Sequence, residues 1–212
     1  MPESNLLEQI VRKDLDKAEV AERVIHRPEL LDEVFASLQA EKADVKYGAE
    51  KVLRLISEEK PELLYPRLDF FVSNLASENT FFKWGAMRII ANLAAEDSAN
   101  KIDAVLDQYF EPIPGPVLIA AANVIEGAAR IARAKPYLAD RVAGELLKVE
   151  RAQYQNEACR HIALGKVIES FGKFFDLIQD KRQEALQMVK RQLESPRPAT
   201  RKKAEKFLAK HT

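Results

Sequence analysis

The chain is poor in the residues that interrupt helices or cross-link a fold. Its 212 residues include only 7 glycines and 10 prolines, while alanine, leucine, glutamate and lysine are abundant, a balance that favours helix. A single cysteine, Cys159, excludes an internal disulfide and is typical of a reducing compartment, most simply the cytosol. No run of about 18 apolar residues and no secretory leader pattern are present. We therefore expect a cytoplasmic chain without a membrane partner.

Recognisable catalytic and ligand-binding motifs are also missing. The three histidines, His26, His161 and His211, do not have the spacing that would place metal ligands on one helical face. Cys159 and His161 are two residues apart, so on a helix they point in different directions and do not form a nucleophile pair. There is no glycine-rich phosphate loop and no nucleophile elbow. The sequence predicts a non-enzymatic protein with no cofactor, metal or catalytic site.

Charge is balanced overall but unevenly distributed. The 33 basic residues match the 33 acidic ones, and the hydrophobic fraction of 47% is enough for a substantial core. From Lys181 to Thr212, however, ten Lys and Arg residues stand against three Asp and Glu residues. The neutral total argues against a dedicated high-affinity nucleic-acid binder, although the basic C-terminal end leaves room for local contacts with nucleic acid.

What the chain does have is internal repetition. Val45–Ile56 (VKYGAEKVLRLI) aligns with Phe82–Leu93 (FKWGAMRIIANL) at an offset of 37 residues. Weaker copies share an alanine with apolar residues three and four positions later. The aligned alanines are Ala49, Ala86, Ala121, Ala158 and Ala204, in steps of 37, 35, 37 and 46 residues. A repeat of this length predicts a stack of similar helical units.

A second set of helical segments alternates with the first. Segments beginning near Pro28, Pro61, Lys101, Lys135 and Lys181 have the 3.6-residue periodicity of amphipathic helices. Polar or proline-containing breaks separate the two sets. The pattern indicates roughly twelve helices in antiparallel pairs and no strand.

Two segments resemble HEAT repeats. Leu63–Leu68 (LLYPRL) is similar to the first-helix pattern of that family, and Asp44–Ile56 is similar to its second-helix pattern of Asp, Val and a basic residue followed by alanine and apolar pairs. The resemblance implies an all-α fold, a right-handed α-solenoid of about five to six helix pairs whose second helices line the concave side. Each pair would bury its apolar stripe by stacking on its neighbours. Armadillo repeats and a non-repetitive bundle are the alternatives.

We therefore expect one solenoid domain over residues 1–212. Its predicted repeats are a short first copy at 1–27, copies at about 28–60, 61–99, 100–134 and 135–177, and a basic capping repeat at 178–212.

Aromatic and basic residues occupy the outward side of the repeated helix. A helical wheel places Trp84 opposite the stripe of Ala86, Ile89 and Ile90, and Tyr47 holds the equivalent position one repeat earlier. Aligned outward positions then predict a partner-binding surface, with inter-repeat packing of Trp84 and a solvated basic face as the alternatives. The predicted residues are Tyr47, Lys51, Trp84, Arg88, Asn123, Arg160, Lys202 and Lys206.

One loop is unusual. Tyr109–Val117 (YFEPIPGPV) concentrates three prolines and a glycine, which predicts a stiff connection that breaks two helices, with a binding lip or a hinge as alternatives.

Three functions follow from these patterns. The first is a scaffold that binds a protein or an acidic peptide in the groove of a solenoid. The second rests on a resemblance to HEAT-like alkylpurine DNA glycosylases, which implies a basic concave face with aromatic residues and a carboxylate around a damaged nucleotide. The third is a resemblance to bilin lyases, which rests on the repeats alone. Fold does not choose among them.

Overall fold

A computed structural model describes residues 16–211, and within that range the chain is all-α, with no strand. The described helices are α1 (Lys17–His26), α2 (Leu31–Ser37), α3 (Ala43–Glu59), α4 (Leu68–Asn74), α5 (Thr80–Leu93), α6 (Lys101–Phe110), α7 (Leu118–Ala134), α8 (Ala139–Leu147), α9 (Glu157–Phe174), α10 (Arg182–Arg191) and α11 (Pro198–His211). The prediction of an all-α fold is confirmed.

The chain divides into two compact units. Unit 1 spans residues 1–99 and contains α1 to α5, and unit 2 spans residues 100–212 and contains α6 to α11. Of the predicted first repeat at 1–27, residues 1–15 lie outside the described range. The single domain remains a prediction.

Proline marks three of the boundaries between successive helix pairs. Arg27, Lys60 and Lys135 each precede a proline and share one backbone conformation, with φ of −135°, −139° and −128° and ψ of 72°, 64° and 77°. The proline ring disfavours the α conformation of the residue before it, so the preceding helix ends there. A short 3-10 turn then opens the next pair.

In each unit, the long second helix of one pair packs on the second helix of the next. In unit 1, α3 contacts both α1 and α5, and in unit 2, α9 contacts both α7 and α11. Two buried hydroxyls fasten the unit 2 stack: Ser170 Oγ donates to the Ile125 carbonyl at 2.9 Å, and Thr200 Oγ1 donates to the His161 carbonyl at 2.8 Å. The order α7, α9, α11 is therefore fixed by polar as well as apolar contacts.

The starts of the second helices correct the repeat register. Helices α3, α5, α7, α9 and α11 begin at residues 43, 80, 118, 157 and 198, so the steps are 37, 38, 39 and 41 residues. Counted from these starts, the equivalent buried residues are Ala49, Ala86, Val124, Ala163 and Ala204, each at most 2% exposed. The predicted alignment was wrong at Ala121, which lies three residues before Val124, and at Ala158, which lies in the exposed first turn of α9, five residues before Ala163. Alignment of the first two copies was correct.

The proline-rich loop is anchored to its own unit. Gln153 donates its backbone N–H to the Pro114 carbonyl at 2.9 Å, and the Tyr154 hydroxyl donates to the Ile113 carbonyl at 2.7 Å. Ile113 is fully buried, and Gly115 has a left-handed φ of 106°. A Cβ at Gly115 would overlap the Gln153 carbonyl oxygen. The loop therefore separates α6 from α7 and ties their pair to the α8–α9 connection.

We predict that Gly115→Ala destabilises the protein by about 1–3 kcal/mol, because alanine disfavours the left-handed region and its methyl group meets backbone. Urea unfolding measures the change. The control is Gly144→Ala in α8, where a Cβ would lie 3.8 Å from Lys181 Cε in ordinary contact. That variant should gain up to about 1 kcal/mol from helix propensity. Equal effects of the two substitutions would contradict this account of the loop.

Candidate functional site: an aromatic cluster and a basic cleft

The predicted aromatic residues of unit 1 form a cluster with a third ring. Tyr47 on α3 and Trp84 on α5 are both half-buried, and Phe81 lies between them. The Phe81 ring centroid is 4.6 Å from that of Tyr47 and 6.1 Å from that of Trp84. Phe81 is 53% exposed, more than either predicted residue. Sequence reasoning missed Phe81 because it compared only the positions that both copies fill with aromatics.

A carboxyl group lies beneath this part of α5. Gly85 has no side chain, and a Cβ there would overlap Glu50 Oε1 from α3, so the glycine makes room for a side chain rather than for a closer helix. The surroundings of Glu50 include Leu53, Phe82 and Ile89. Burial raises the pKa of Glu50, and the charges of Arg54 and Arg88 oppose that rise. The space beside it is about 20 Å³, enough for one water molecule but not for a substrate.

The residues of the predicted basic row differ in exposure. Asn123 is only 5% exposed, and its Nδ2 donates to the Ile119 carbonyl at 3.0 Å, so it cannot contribute to an open groove. Arg160 lies in the first turn of α9 and pairs with Glu157 at 2.8 Å. After the register correction, Arg160 is equivalent to Lys46 and Lys83 rather than to Lys51 and Arg88. Lys51, Lys202 and Lys206 are exposed.

Unit 2 contains a large basic cleft between α7, α9 and α11. Its volume is about 580 Å³, within the range of about 300–1,000 Å³ that is usual for ligand-binding clefts. Six cationic side chains and two carboxylates line it, an excess of four positive charges. The cations are Arg130, Lys166, Lys173, Lys203, Lys206 and Lys210, and the carboxylates are Glu126 and Glu169. Of the residues predicted from the sequence, only Lys206 lines this cleft.

Two of the six cations are neutralised by ion pairs between neighbouring helices. Lys166 on α9 pairs with Glu126 on α7, and Lys203 on α11 pairs with Glu169 on α9 at 2.9 Å. The other four have no ion-pair partner among residues 16–211; they are Arg130, Lys173, Lys206 and Lys210. These four cations lie on three helices whose order is fixed, so together they would attract an anionic ligand to the cleft.

An aromatic group supports one end of the cleft. The Phe207 ring centroid lies 4.9 Å from Phe175 and 4.5 Å from His211, and the Arg182 guanidinium lies over the Phe175 ring at 4.1 Å. Burial lowers the pKa of His211, as does the neighbouring Lys210 charge. The ring contacts hold Phe207 in place. Burial and the Lys210 charge disfavour a positive charge on His211.

A serine–histidine contact in the same unit has a structural role. His161 Nδ1 lies 3.2 Å from Ser195 Oγ, a distance that would suit an activated nucleophile. Ser195 is only 3% exposed, however, and its Oγ accepts the Arg197 backbone N–H at 3.4 Å. The pair thus closes the turn before α11 against α9, and Ser195 is not open to a substrate.

Within the described range, no group of three or more His, Cys, Asp or Glu side chains is arranged to hold a metal ion. None of the described helices is long and apolar enough to cross a membrane.

Comparisons with known proteins identify the fold. No family profile matches the chain, and no curated protein matches it either. Among solved structures, an engineered protein from the Northeast Structural Genomics Consortium is similar with a TM-score of 0.61 and 17% identity, over 96% of this chain and 88% of that one. A designed armadillo repeat protein is similar with a TM-score of 0.55 and 17% identity, over 96% and 97% of the two chains. These similarities show an all-α solenoid fold of helical repeats.

We predict that Glu50→Gln stabilises unit 1 more at pH 7 than at pH 4. Because burial raises the pKa of Glu50 in the folded protein, the folded state binds its proton more tightly than the unfolded state. Stability therefore falls as pH rises from the unfolded pKa through the higher folded pKa. Urea unfolding at both pH values measures the difference, and Glu59→Gln at an exposed position of α3 is the control. A stabilisation by Glu50→Gln that is greater at pH 4 than at pH 7 would contradict the burial argument.

Proposed function

We propose that this protein is a non-enzymatic interaction module and that the basic cleft of unit 2 binds an acidic segment of a partner protein. The observation that supports this most directly is the set of four cations on three helices, Arg130, Lys173, Lys206 and Lys210, that have no ion-pair partner within residues 16–211. Unpaired charges gathered in a concave site raise the local concentration of an oppositely charged ligand and speed its association.

A peptide suits the cleft better than duplex nucleic acid. The formal net charge of the whole chain is zero, whereas affinity for a duplex depends on many phosphate contacts. Glu126 and Glu169 interrupt the cationic lining, and they would repel a continuous row of phosphates. The DNA glycosylase resemblance requires aromatic residues and a carboxylate at a basic face. In the basic cleft, the carboxylates Glu126 and Glu169 already pair with Lys166 and Lys203, and the Phe207 ring is only 5% exposed, so the cleft does not favour this resemblance.

We also propose that the helical repeats are of the HEAT type and that the protein is a cytoplasmic scaffold. The first-helix pattern of Leu63–Leu68 and the second-helix pattern of Asp44–Ile56 support the HEAT assignment within the wider class of helical repeats. The single cysteine supports a reducing compartment.

Charge reversal inside the cleft tests the proposal. The double variant Lys206→Glu, Lys210→Glu should weaken binding of a fluorescently labelled peptide rich in glutamate and serine by at least about tenfold, or about 1.4 kcal/mol. Fluorescence anisotropy at low and moderate salt measures the affinity. We expect the wild-type affinity to fall as salt rises, because exposed charges are screened.

The matched control changes the same amount of charge outside the cleft. Lys190 and Lys202 are exposed lysines of unit 2 that do not line it, and Lys202 is on the same helix as Lys206. The variant Lys190→Glu, Lys202→Glu should therefore retain most of the affinity. Equal losses in the two double variants would refute a specific cleft. Tighter binding of duplex DNA than of the peptide, lost in the cleft variant, would favour the nucleic-acid alternative.

A further inference from the structure

The floor of the basic cleft is apolar, although its rim is charged. Ile168 and Phe207 are 2% and 5% exposed and lie among the lining residues. Gly172 on α9 opens the space above the ring, since a Cβ at that position would lie 3.8 Å from Phe207 Cδ2. The stems of the surrounding lysines add further hydrocarbon. A ligand in this cleft therefore meets hydrocarbon beneath and cations around it.

The combination of an apolar floor and a cationic rim disfavours ligands that are uniformly acidic or uniformly apolar. A uniformly acidic chain would satisfy the cations but leave water against the floor. A uniformly apolar chain would take water away from Lys173, Lys206 and Lys210 without replacing it, and removing water from an unpaired charge is costly. A ligand with both characters satisfies both parts of the cleft.

We infer that the cleft recognises an acidic segment that carries one large apolar side chain, with that side chain seated beside Gly172 and Phe207. This inference rests on the proposed function, and it specifies the partner: a protein segment in which acidic residues flank a tryptophan, phenylalanine or leucine. The acidic groups pair with Arg130, Lys173, Lys206 and Lys210, while the apolar side chain occupies the space left by Gly172.

Single-stranded nucleic acid, which also combines negative charge with flat rings, suits the cleft less well. Stacking of a base requires an exposed aromatic face. Phe207 is only 5% exposed, and the rings of Phe175 and His211 already pack against it. The accessible contact is the space left by Gly172, which suits an inserted side chain.

Two labelled peptides test the inference. Both are rich in glutamate and serine, and they differ only in a central tryptophan or serine. Wild-type protein should bind the tryptophan peptide about tenfold more tightly, as expected for burial of a large apolar side chain. Gly172→Leu fills the space without changing charge, so it should abolish that preference and leave the affinity for the serine peptide unchanged. Gly144→Leu, at a helical glycine outside the cleft, should retain the preference.

Tryptophan emission provides a second measurement on a background with an unmodified cleft. Trp84 is the only tryptophan of the chain, so in the Trp84→Phe variant all tryptophan emission comes from the peptide. Binding should shift that emission to shorter wavelength, and the shift should disappear when Gly172→Leu is added. Circular dichroism and urea unfolding establish that each variant folds.

The outcomes separate this inference from the proposed function. Two results would overturn the inference and leave the proposed function standing. One is equal affinity for the two peptides, with binding still lost in the double variant Lys206→Glu, Lys210→Glu. The other is a tryptophan emission that does not shift on binding. Failure of both peptides to bind would overturn both. Stronger competition by oligothymidine than by either peptide would identify the cleft as a single-strand binding site and contradict the inference.

Discussion

Direct packing of one second helix on the next is the constraint on which each unit depends. Helices α3 and α5 in unit 1, and α7, α9 and α11 in unit 2, pack on one another, and each has a buried apolar residue at the same distance from its start. In four of the five helices that residue is alanine, and in α7 it is Val124. The paired first helices complete the burial. A repeat of this kind cannot bury its apolar stripe alone, which explains why the pattern recurs along the chain.

The same packing makes the basic cleft possible. Since α7, α9 and α11 are held in order, side chains late in each helix converge on one space, and the two interhelical pairs Lys166–Glu126 and Lys203–Glu169 reinforce that order. Pairing uses only two of the six lining cations. The cleft therefore keeps an excess of positive charge, although the formal net charge of the whole chain is zero. Such local excess is what an interaction surface for an acidic partner requires.

Sequence reasoning identified the helical pairs and the correct register of Ala49 and Ala86, because those two copies share an aromatic–glycine–alanine core. It failed at α9 because the equivalent residue, Ala163, has Lys166 rather than an apolar residue three positions later. Ala158, with His161 and Ile162 three and four positions later, was aligned instead, although it lies in an exposed turn. The spacing between successive second-helix starts grows from 37 to 41 residues, so a constant spacing of about 37 residues pointed to Ala158 rather than to Ala163.

Most of the cleft was missed for a related reason. The aligned outward positions covered the early turns of the repeated helix, whereas Arg130, Lys173 and Lys210 lie near the C-terminal ends of α7, α9 and α11. The excess of basic residues from Lys181 onward was the one signal of this site in the sequence. A helical wheel describes one helix at a time, so it does not show which cations three packed helices bring together. Asn123 illustrates the converse: the predicted alignment placed it in one row with Lys51 and Arg88, whereas counted from the helix starts it corresponds to the buried Gly48 and Gly85.

Hydrogen exchange of the backbone amides, measured with and without the glutamate-rich tryptophan peptide, tests the central claim that the cleft of unit 2 is the binding site. Slower exchange should be confined to the parts of α7, α9 and α11 that line the cleft. Protection centred instead on Tyr47, Phe81 and Trp84 in unit 1, or on the first helices α8 and α10, would contradict it.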